Sequence, residues 1–267
     1  MANILEKIID DKRIEIEQRK VVTGIDQLEA NISIMPKCRN FYSCVTKRNR
    51  RGINVIAEVK KASPSAGVIR ADFDPVKIAQ TYKQCGADAI SVLTDEKYFQ
   101  GKLEYIQQIK AAVDIPILRK DFIIDPWQVY ESRAAGADAI LLIAEALNHS
   151  QLSDLLILAG ELTMTVLIEV HEADSLLKVR SMIGFPHRKY SVIGINNRDL
   201  TTMQVDINTA VRLADMIDNK RELVAESGIK TRDDVNKLKA AAINTVLIGE
   251  TLCASPGIED KFKELFG

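Results

Sequence analysis

Two similar ten-residue segments constrain the fold of this chain more than any other feature. GADAISVLTD begins at residue 86, GADAILLIAE begins 50 residues later at residue 136, and a looser echo, AAINTVLIGE, begins at residue 241. Each copy has small residues, then an apolar run, then a polar residue. This order is typical of a helix end, a buried parallel strand and the loop that follows the strand. An offset of 50 residues fits two βα units.

Reading outward from these copies predicts strands that alternate with helices. The eight predicted strands are 53–59, 88–93, 115–119, 138–143, 164–169, 191–195, 222–225 and 245–248. The predicted helices between them include 75–85, 103–113, 126–135, 150–162 and 232–241. Strict alternation implies a parallel sheet with right-handed crossovers. The predicted fold class is therefore α/β, a (β/α)8 TIM barrel. An open doubly wound sheet is the alternative, although no G-x-G-x-x-G fingerprint follows the first strand.

The first 50 residues lie outside this alternation and predict an N-terminal helical extension. An apolar stripe among charges predicts an amphipathic helix over 3–19 that packs on the barrel. Segment 31–50 is less regular, and no Ser/Gly-rich linker separates it from the rest. The 267 residues are close to the usual length of one barrel. We expect a single domain, with 1–50 as the extension and 51–267 as the barrel.

Charge and cysteine usage exclude several classes of function. The net charge of −1, with both signs mixed along the chain, argues against a nucleic-acid binder or a membrane-surface protein. No apolar run is long enough to span a bilayer and no signal peptide is evident, so we expect a cytoplasmic protein. The four cysteines form no C-x-x-C pair, and there are three histidines. We therefore expect reduced thiols, no disulfide framework and no metal site.

Polar side chains stand where the predicted strands end, which in a barrel is the face that carries the active site. They are Glu58 and Lys60, Lys120, Glu169, Asn196 with Asn197 and Arg198, Glu226 with Ser227, and Glu250. Charges next to apolar runs are costly to desolvate unless they are paired, so we expect them to meet and pair at the barrel mouth. A ring of salt bridges that closes the barrel end is the structural alternative. The number of lysines and carboxylates favours a functional site.

A glycine directly follows each of the last two predicted strands, in AESGI (225–229) and LIGET (247–251). The loops after strands 7 and 8 are the usual phosphate site of barrels, where glycine lets backbone N–H groups approach the anion. The alternative interpretation is that Gly228 and Gly249 are ordinary turn glycines. Together they favour a phosphorylated ligand, and we expect the Glu250 side chain to point away from it.

The remaining candidates have simpler interpretations. His171 lies near Glu169, and a lone histidine there is interpreted as a polar residue at the rim. His149 and His187 are interpreted as loop residues. Trp127, at a predicted helix start, is interpreted as a packing residue.

At this point the motifs resemble those of indole-3-glycerol phosphate synthase. They are IAEVKKASPSAG (56–67), VLTDEKYFQG (92–101), PILRKDFIIDPWQV (116–129), LLIAEAL (141–147), VLIEVHEADSL (166–176), IGINNRDLTT (193–202), VAESGI (224–229) and VLIGETL (246–252). The likeness covers the whole predicted barrel in order. It implies conversion of 1-(2-carboxyphenylamino)-1-deoxyribulose 5-phosphate to indole-3-glycerol phosphate, CO2 and water in tryptophan biosynthesis. This is a carbon–carbon carboxy-lyase reaction that needs no metal and no cofactor.

The resemblance also implies catalytic roles. Lys120 would be the general acid at the ribulose carbonyl, for which its pKa must be lowered or its charge tightly coupled to a carboxylate. Glu169 would be the acid/base of the dehydration. Lys60 would pair with the substrate carboxylate, and Glu58 would orient both lysines. Asn196 would help to position the polar middle of the substrate.

The implied substrate-binding residues surround the phosphate, the hydroxyls and the aromatic ring. They are Ser63, Phe122, Arg198, Glu226, Ser227, Gly228, Gly249 and Glu250 through its backbone. Glu250 stands where some relatives carry a small hydroxyl residue, which leaves the backbone contact in place. Loop 61–70 is expected to be a lid that excludes water.

Two rival functions have testable sequence requirements. A sugar-phosphate isomerase of the same pathway would need a Cys/Asp pair at strand ends, and no cysteine stands there. A catalytically silent barrel that binds a ligand or partner would have lost Lys120 or Glu169, and both are present. The expected partner is a phosphorylated small molecule, bound by a monomer.

Overall fold

Eight parallel strands form a closed barrel in the computed structural model, which describes residues 4–187, 190–199 and 202–267. The strands are β1 (Asn54–Val59), β2 (Ala89–Leu93), β3 (Ile117–Lys120), β4 (Ala139–Ile143), β5 (Thr165–Val170), β6 (Ser191–Asn196), β7 (Leu223–Glu226) and β8 (Thr245–Ile248). Ile56 of β1 pairs with Ala89 of β2 on one side and with Leu247 of β8 on the other. The sheet is therefore closed, which confirms the predicted barrel and excludes the open sheet.

Helices alternate with the strands and precede β1. They are α1 (Ile4–Val22), α2 (Ile25–Ser33), α3 (Phe41–Thr46), α4 (Pro75–Gln84), α5 (Glu96–Phe99), α6 (Glu104–Ala112), α7 (Pro126–Ala134), α8 (His149–Glu161), α9 (Ala173–Val179), α10 (Asn208–Ala214), α11 (Arg232–Ala240), α12 (Glu250–Cys253) and α13 (Ile258–Phe266). Proline at the first helical position and a side-chain cap begin α7, where Asp125 and Gln128 form a capping box. None of the described helices is long and apolar enough to cross a lipid bilayer.

The repeated GADAI phrase has one structural meaning in both copies. Gly86 and Gly136 have φ of 91° and 92°, the left-handed conformation that ends the preceding helix. The aspartate two residues later is buried and accepts a hydrogen bond from the strand before it. Asp138 accepts from the N–H of Ile117 at 2.9 Å, and Asp88 plays the same part for β1. The repeat is thus a helix stop followed by a clamp between adjacent strands.

Side chains on each strand alternate between two apolar layers, as the two-residue period of a strand requires. Val55 and Ala57 face the layer between the barrel and its helices. Ile56 faces the barrel interior. Glu58 follows Ile56 on the inward face, so the interior becomes polar at the carboxyl end of β1.

The N-terminal extension covers both ends of the barrel. Leu5 and Ile8 of α1 lie against the carboxyl ends of the strands. At the other end, the Val45 carbonyl of α3 accepts hydrogen bonds from the Asn54 and Asn244 side-chain amides at 2.9 and 2.8 Å. α1 runs three residues past its predicted end, and residue 3, its predicted start, lies outside the described residues. The sequence did not predict α2.

Candidate active site

A cavity of about 380 Å³ lies at the carboxyl ends of the strands. Every residue proposed from the sequence for catalysis or substrate binding lines it. These residues are Glu58, Lys60, Ser63, Lys120, Phe122, Glu169, Asn196, Arg198, Glu226, Ser227, Gly228, Gly249 and Glu250. The structure therefore brings together residues from six strands and the loops that follow them.

Lys120, the last residue of β3, lies between two buried carboxylates. Its Nζ is 2.9 Å from Oε2 of Glu169 and 3.4 Å from Oε2 of Glu226. Burial works against the charge, but Glu169, Glu226 and Glu58 together raise the pKa of Lys120 above its ordinary value. A lysine acid needs either a lowered pKa or tight coupling to a carboxylate. The pKa of Lys120 is not lowered, but its contact with Glu169 provides the coupling.

Glu169 and Glu226 are neighbours inside the barrel but bind protons differently. Burial alone would raise the pKa of Glu169, yet Lys120 and contacts with His171 and Asn196 lower it well below its usual range. Burial and repulsion from Glu169 raise the pKa of Glu226 to about 8. Near neutral pH one carboxyl is thus ionised and the other protonated. Such a split assigns acid and base roles in many active sites.

Both carboxylate oxygens of Glu226 are buried and lack a hydrogen-bond partner within the described ranges, and so does Oε2 of Glu58. A buried acceptor without a donor costs about 1–3 kcal/mol. Nζ of Lys120 lies 3.4 Å from Oε2 of Glu226 without the geometry of a hydrogen bond. These orphaned oxygens point to a ligand that supplies donors when it fills the cavity.

Lys60 completes the polar wall at the end of β1. Its Nζ is 3.4 Å from Oε1 of Glu58 and 5.5 Å from the ring centre of Phe99. A Cβ at Gly249 would run into the Glu58 carboxylate. Glycine is therefore needed at position 249 for close approach to Glu58.

The turn after β7 has the backbone expected of an anion site. Ser227 and Gly228 have φ of 64° and 77°, so two consecutive residues are left-handed. Concave turns of this kind expose successive N–H groups. The carboxylate of Glu250, in the loop after β8, lies 3.4 Å from Nη2 of Arg198 at the cavity mouth.

An apolar wall faces these charges, and the sequence predicted only Phe122 in it. Phe99 stacks at a tilt on Phe122 with ring centres 6.1 Å apart. Ile4, Leu5 and Ile8 of α1 also line the cavity. The apolar stripe of α1 indicated packing on the barrel but not which barrel end it covers. Phe99 lies within the VLTDEKYFQG motif, which was the available signal.

His171 is not the rim residue that the sequence suggested. Its side chain is 8% exposed and lies between Glu145 and Glu169. Trp127, in contrast, packs as predicted against Ile16 and Leu28 and donates from Nε1 to the Thr23 carbonyl at 2.8 Å.

The closed barrel and its buried acid and base groups define a (β/α)8-barrel enzyme that works at the carboxyl ends of its strands. Solved structures agree on the fold. The 3-hexulose-6-phosphate synthase structure matches with a TM-score of 0.61 at 12% identity, over 80% of this chain and 98% of that one. Orotidine 5′-phosphate decarboxylase from Pyrococcus horikoshii matches with a TM-score of 0.58 at 12% identity, over 79% and 97%.

Sequence comparison identifies the family. The family model described as indole-3-glycerol phosphate synthase matches residues 5–265. Proteins of that name from Rhodopirellula baltica and Acidithiobacillus ferrooxidans are each 45% identical to this chain, over 98% of both chains and over 100% and 99%, respectively. The one from Roseiflexus castenholzii is 44% identical over 100% of this chain and 99% of its own. The chain belongs to the indole-3-glycerol phosphate synthase family. The family's carboxy-lyase reaction, a step of tryptophan biosynthesis, is therefore its reaction.

Proposed function

We propose that Lys120 and Glu169 carry the proton transfers of indole ring closure in this chain. The substrate is 1-(2-carboxyphenylamino)-1-deoxyribulose 5-phosphate, and the products are indole-3-glycerol phosphate, CO2 and water. One observation carries the assignment: the Lys120 ammonium is held 2.9 Å from an ionised Glu169 in the cavity at the carboxyl ends of the strands. Burial strengthens that pair's electrostatic effect on a bound carbonyl.

Ring closure begins when the anthranilate ring carbon attacks the ribulose carbonyl carbon. As the new carbon–carbon bond forms, Lys120 donates a proton to the carbonyl oxygen, which becomes a hydroxyl. The carboxyl group then leaves as CO2, and its bonding electrons restore the aromatic ring. Lys60 is proposed to pair with that carboxylate, and Glu58 to orient Lys60. The 3.4 Å contact between the two side chains supports this.

Dehydration completes the indole. Glu169, ionised in the free enzyme, takes a proton from the intermediate while the hydroxyl leaves as water with a proton donated by the Lys60 ammonium, which lines the same cavity. Asn196 donates from Nδ2 to Oε1 of Glu169 at 2.9 Å, which holds the carboxylate in place. Glu226 is proposed to hydrogen-bond the substrate hydroxyls, since its two buried oxygens lack partners in the described part of the chain.

The phosphate is proposed to bind at the other side of the cavity. The left-handed turn at Ser227 and Gly228, the backbone of Gly249 and Glu250, and Ser63 would contact it. Glu250 is drawn toward Arg198, which is consistent with a backbone rather than a side-chain contact. Phe122 would contact the anthranilate ring. Loop 61–70 is proposed to close over the site. The monomeric state and the cytoplasmic location of the protein stay predictions.

A fluorescence assay for indole formation from the synthetic substrate tests the proposal. Glu169→Gln keeps the size of the side chain but removes the base, so kcat should fall roughly 10²-fold or more. The conservative Glu29→Gln change on the exposed face of α2 is the matched control. Near-wild-type turnover by Glu169→Gln would rule out the acid/base assignment.

A further inference from the structure

Glu169 is held from two sides by different cationic groups. Its Oε2 contacts Lys120 at 2.9 Å. Its Oε1 lies 3.2 Å from Nε2 of His171, and Nδ2 of Asn196 donates to the same oxygen at 2.9 Å. The Nε2–H of His171 is not aligned for a hydrogen bond within the described structure, so this contact is an interaction of charges.

Glu145 holds the other side of His171. Oε2 of Glu145 is 3.0 Å from Nδ1 of His171, and Oε1 accepts a hydrogen bond from the His171 backbone N–H at 2.9 Å. The register of the barrel explains the meeting. Ile143, the last residue of β4, pairs with Glu169 of β5, so the chain segments that follow the two strands bring Glu145 next to His171.

This arrangement favours a charged imidazole. Burial opposes the charge, but the two flanking carboxylates raise the pKa of His171 to about 10. The same contacts lower the pKa of Glu145. Glu172, Asp206 and Arg212 line the neighbouring cavity of about 630 Å³ together with His171 and Glu145. Glu145 and Glu169 contact the imidazole of His171 directly, so their negative charges outweigh the positive charge of Arg212.

We propose that His171, held as an imidazolium by Glu145, is a positioning residue that keeps Glu169 ionised and aimed at the substrate. The inference rests on the proposed acid/base role of Glu169. Its physical reason lies in the reaction itself. When Lys120 gives its proton to the substrate, Oε2 of Glu169 loses its cationic partner. His171 on Oε1 still stabilises the negative charge, so Glu169 remains a base for the dehydration.

The dependence of kcat/KM on pH tests this role, because a merely structural contact would not shift the profile. In His171→Gln, Glu169 loses a positive neighbour, its pKa rises, and the acid limb of the profile should move up by about one pH unit. That shift is a roughly tenfold loss of kcat/KM below the limb. Glu145→Gln should move the limb in the same direction by less. His149→Gln, a matched change on the exposed start of α8, should leave the profile unchanged.

Nitrogen-15 NMR of the three histidines gives a readout that does not depend on activity. In the wild-type enzyme the His171 imidazole should stay protonated above pH 8, because its pKa is raised well above the ordinary value of about 6.5. Glu145→Gln should lower the pKa of His171. An unshifted profile in His171→Gln, or a His171 that titrates near 6.5, would overturn the proposal. If Glu169→Gln is active, the proposed function itself fails. If Glu169→Gln is inactive but the His171→Gln profile is unshifted, only this inference fails.

Discussion

Arg119 and Lys120 are adjacent on β3, yet they belong to two buried charge clusters with opposite properties. The outer cluster, between barrel and helices, consists of Lys12, Asp95, Arg119, Asp121 and Glu131. The inner cluster, inside the barrel, consists of Glu58, Lys120, Glu169 and Glu226. The clusters differ because successive side chains on a strand point to opposite faces.

The outer cluster is fully paired. Arg119 contacts Glu131 at 2.8 Å and Asp121 at 3.0 Å, and Lys12 contacts Asp95 at 3.0 Å and Asp121 at 3.1 Å. Among the described residues, no buried oxygen of this cluster lacks a hydrogen-bond partner, whereas three oxygens of the inner cluster do. The outer cluster holds α1 on the barrel. The inner cluster instead faces the cavity at the carboxyl ends of the strands.

Among the predicted changes, Lys120→Met should have the largest effect on turnover. It removes the proposed acid from the inner cluster, so turnover should fall roughly 10³-fold or more, to background. The circular dichroism spectrum should match that of wild type, because His171 and Asn196 still contact the buried Glu169 carboxylate. Lys178→Met on exposed α9 serves as the control. Turnover close to wild type would remove Lys120 from the acid role.

Arg119→Met should instead affect stability. It leaves the carboxylates of Asp121 and Glu131 buried with fewer partners, a change that costs about 3–5 kcal/mol. Chemical denaturation measures this loss, while kcat per folded molecule should stay within a few-fold of wild type. Arg13→Met, whose partner Asp10 is exposed, should change stability by under about 0.5 kcal/mol. A fall in kcat per folded molecule well beyond a few-fold, with the free energy of unfolding unchanged, would contradict the division between the clusters.

Glu226→Gln should change stability with the opposite sign, and only at the pH values where the folded and unfolded chains differ in protonation of this carboxyl. The folded pKa of Glu226 is about 8, above the ordinary 4.5, so the unfolded chain releases this proton first as pH rises. Stability is therefore lost between about pH 4.5 and pH 8. Gln mimics the protonated form and should raise Tm at pH 8 by about 2–4 °C per kcal/mol recovered. Thermal melts should show no gain at pH 4.5, and a gain at both pH values would refute the linkage.

Much of the site followed from sequence because its residues sit at strand ends. Lys120 ends an apolar run, and the glycines follow the last two strands, so a barrel places them on one face. Phe99 and the α1 side chains were missed because their patterns show only that they are apolar. Which cavity wall such residues cover depends on how the extension folds back, which local periodicity does not encode.

The sequence by itself determined the barrel, its eight strands and the residues at its active face. Each strand is an apolar run that must be buried, and the alternation of such runs with helical segments is visible along the chain. Tertiary structure alone decided which charges are paired and which are left unpaired. Glu145 meets His171 only through the β4–β5 register, and Arg198 meets Glu250 only across the cavity mouth. These contacts join residues 26 and 52 positions apart, a separation that local sequence patterns do not encode.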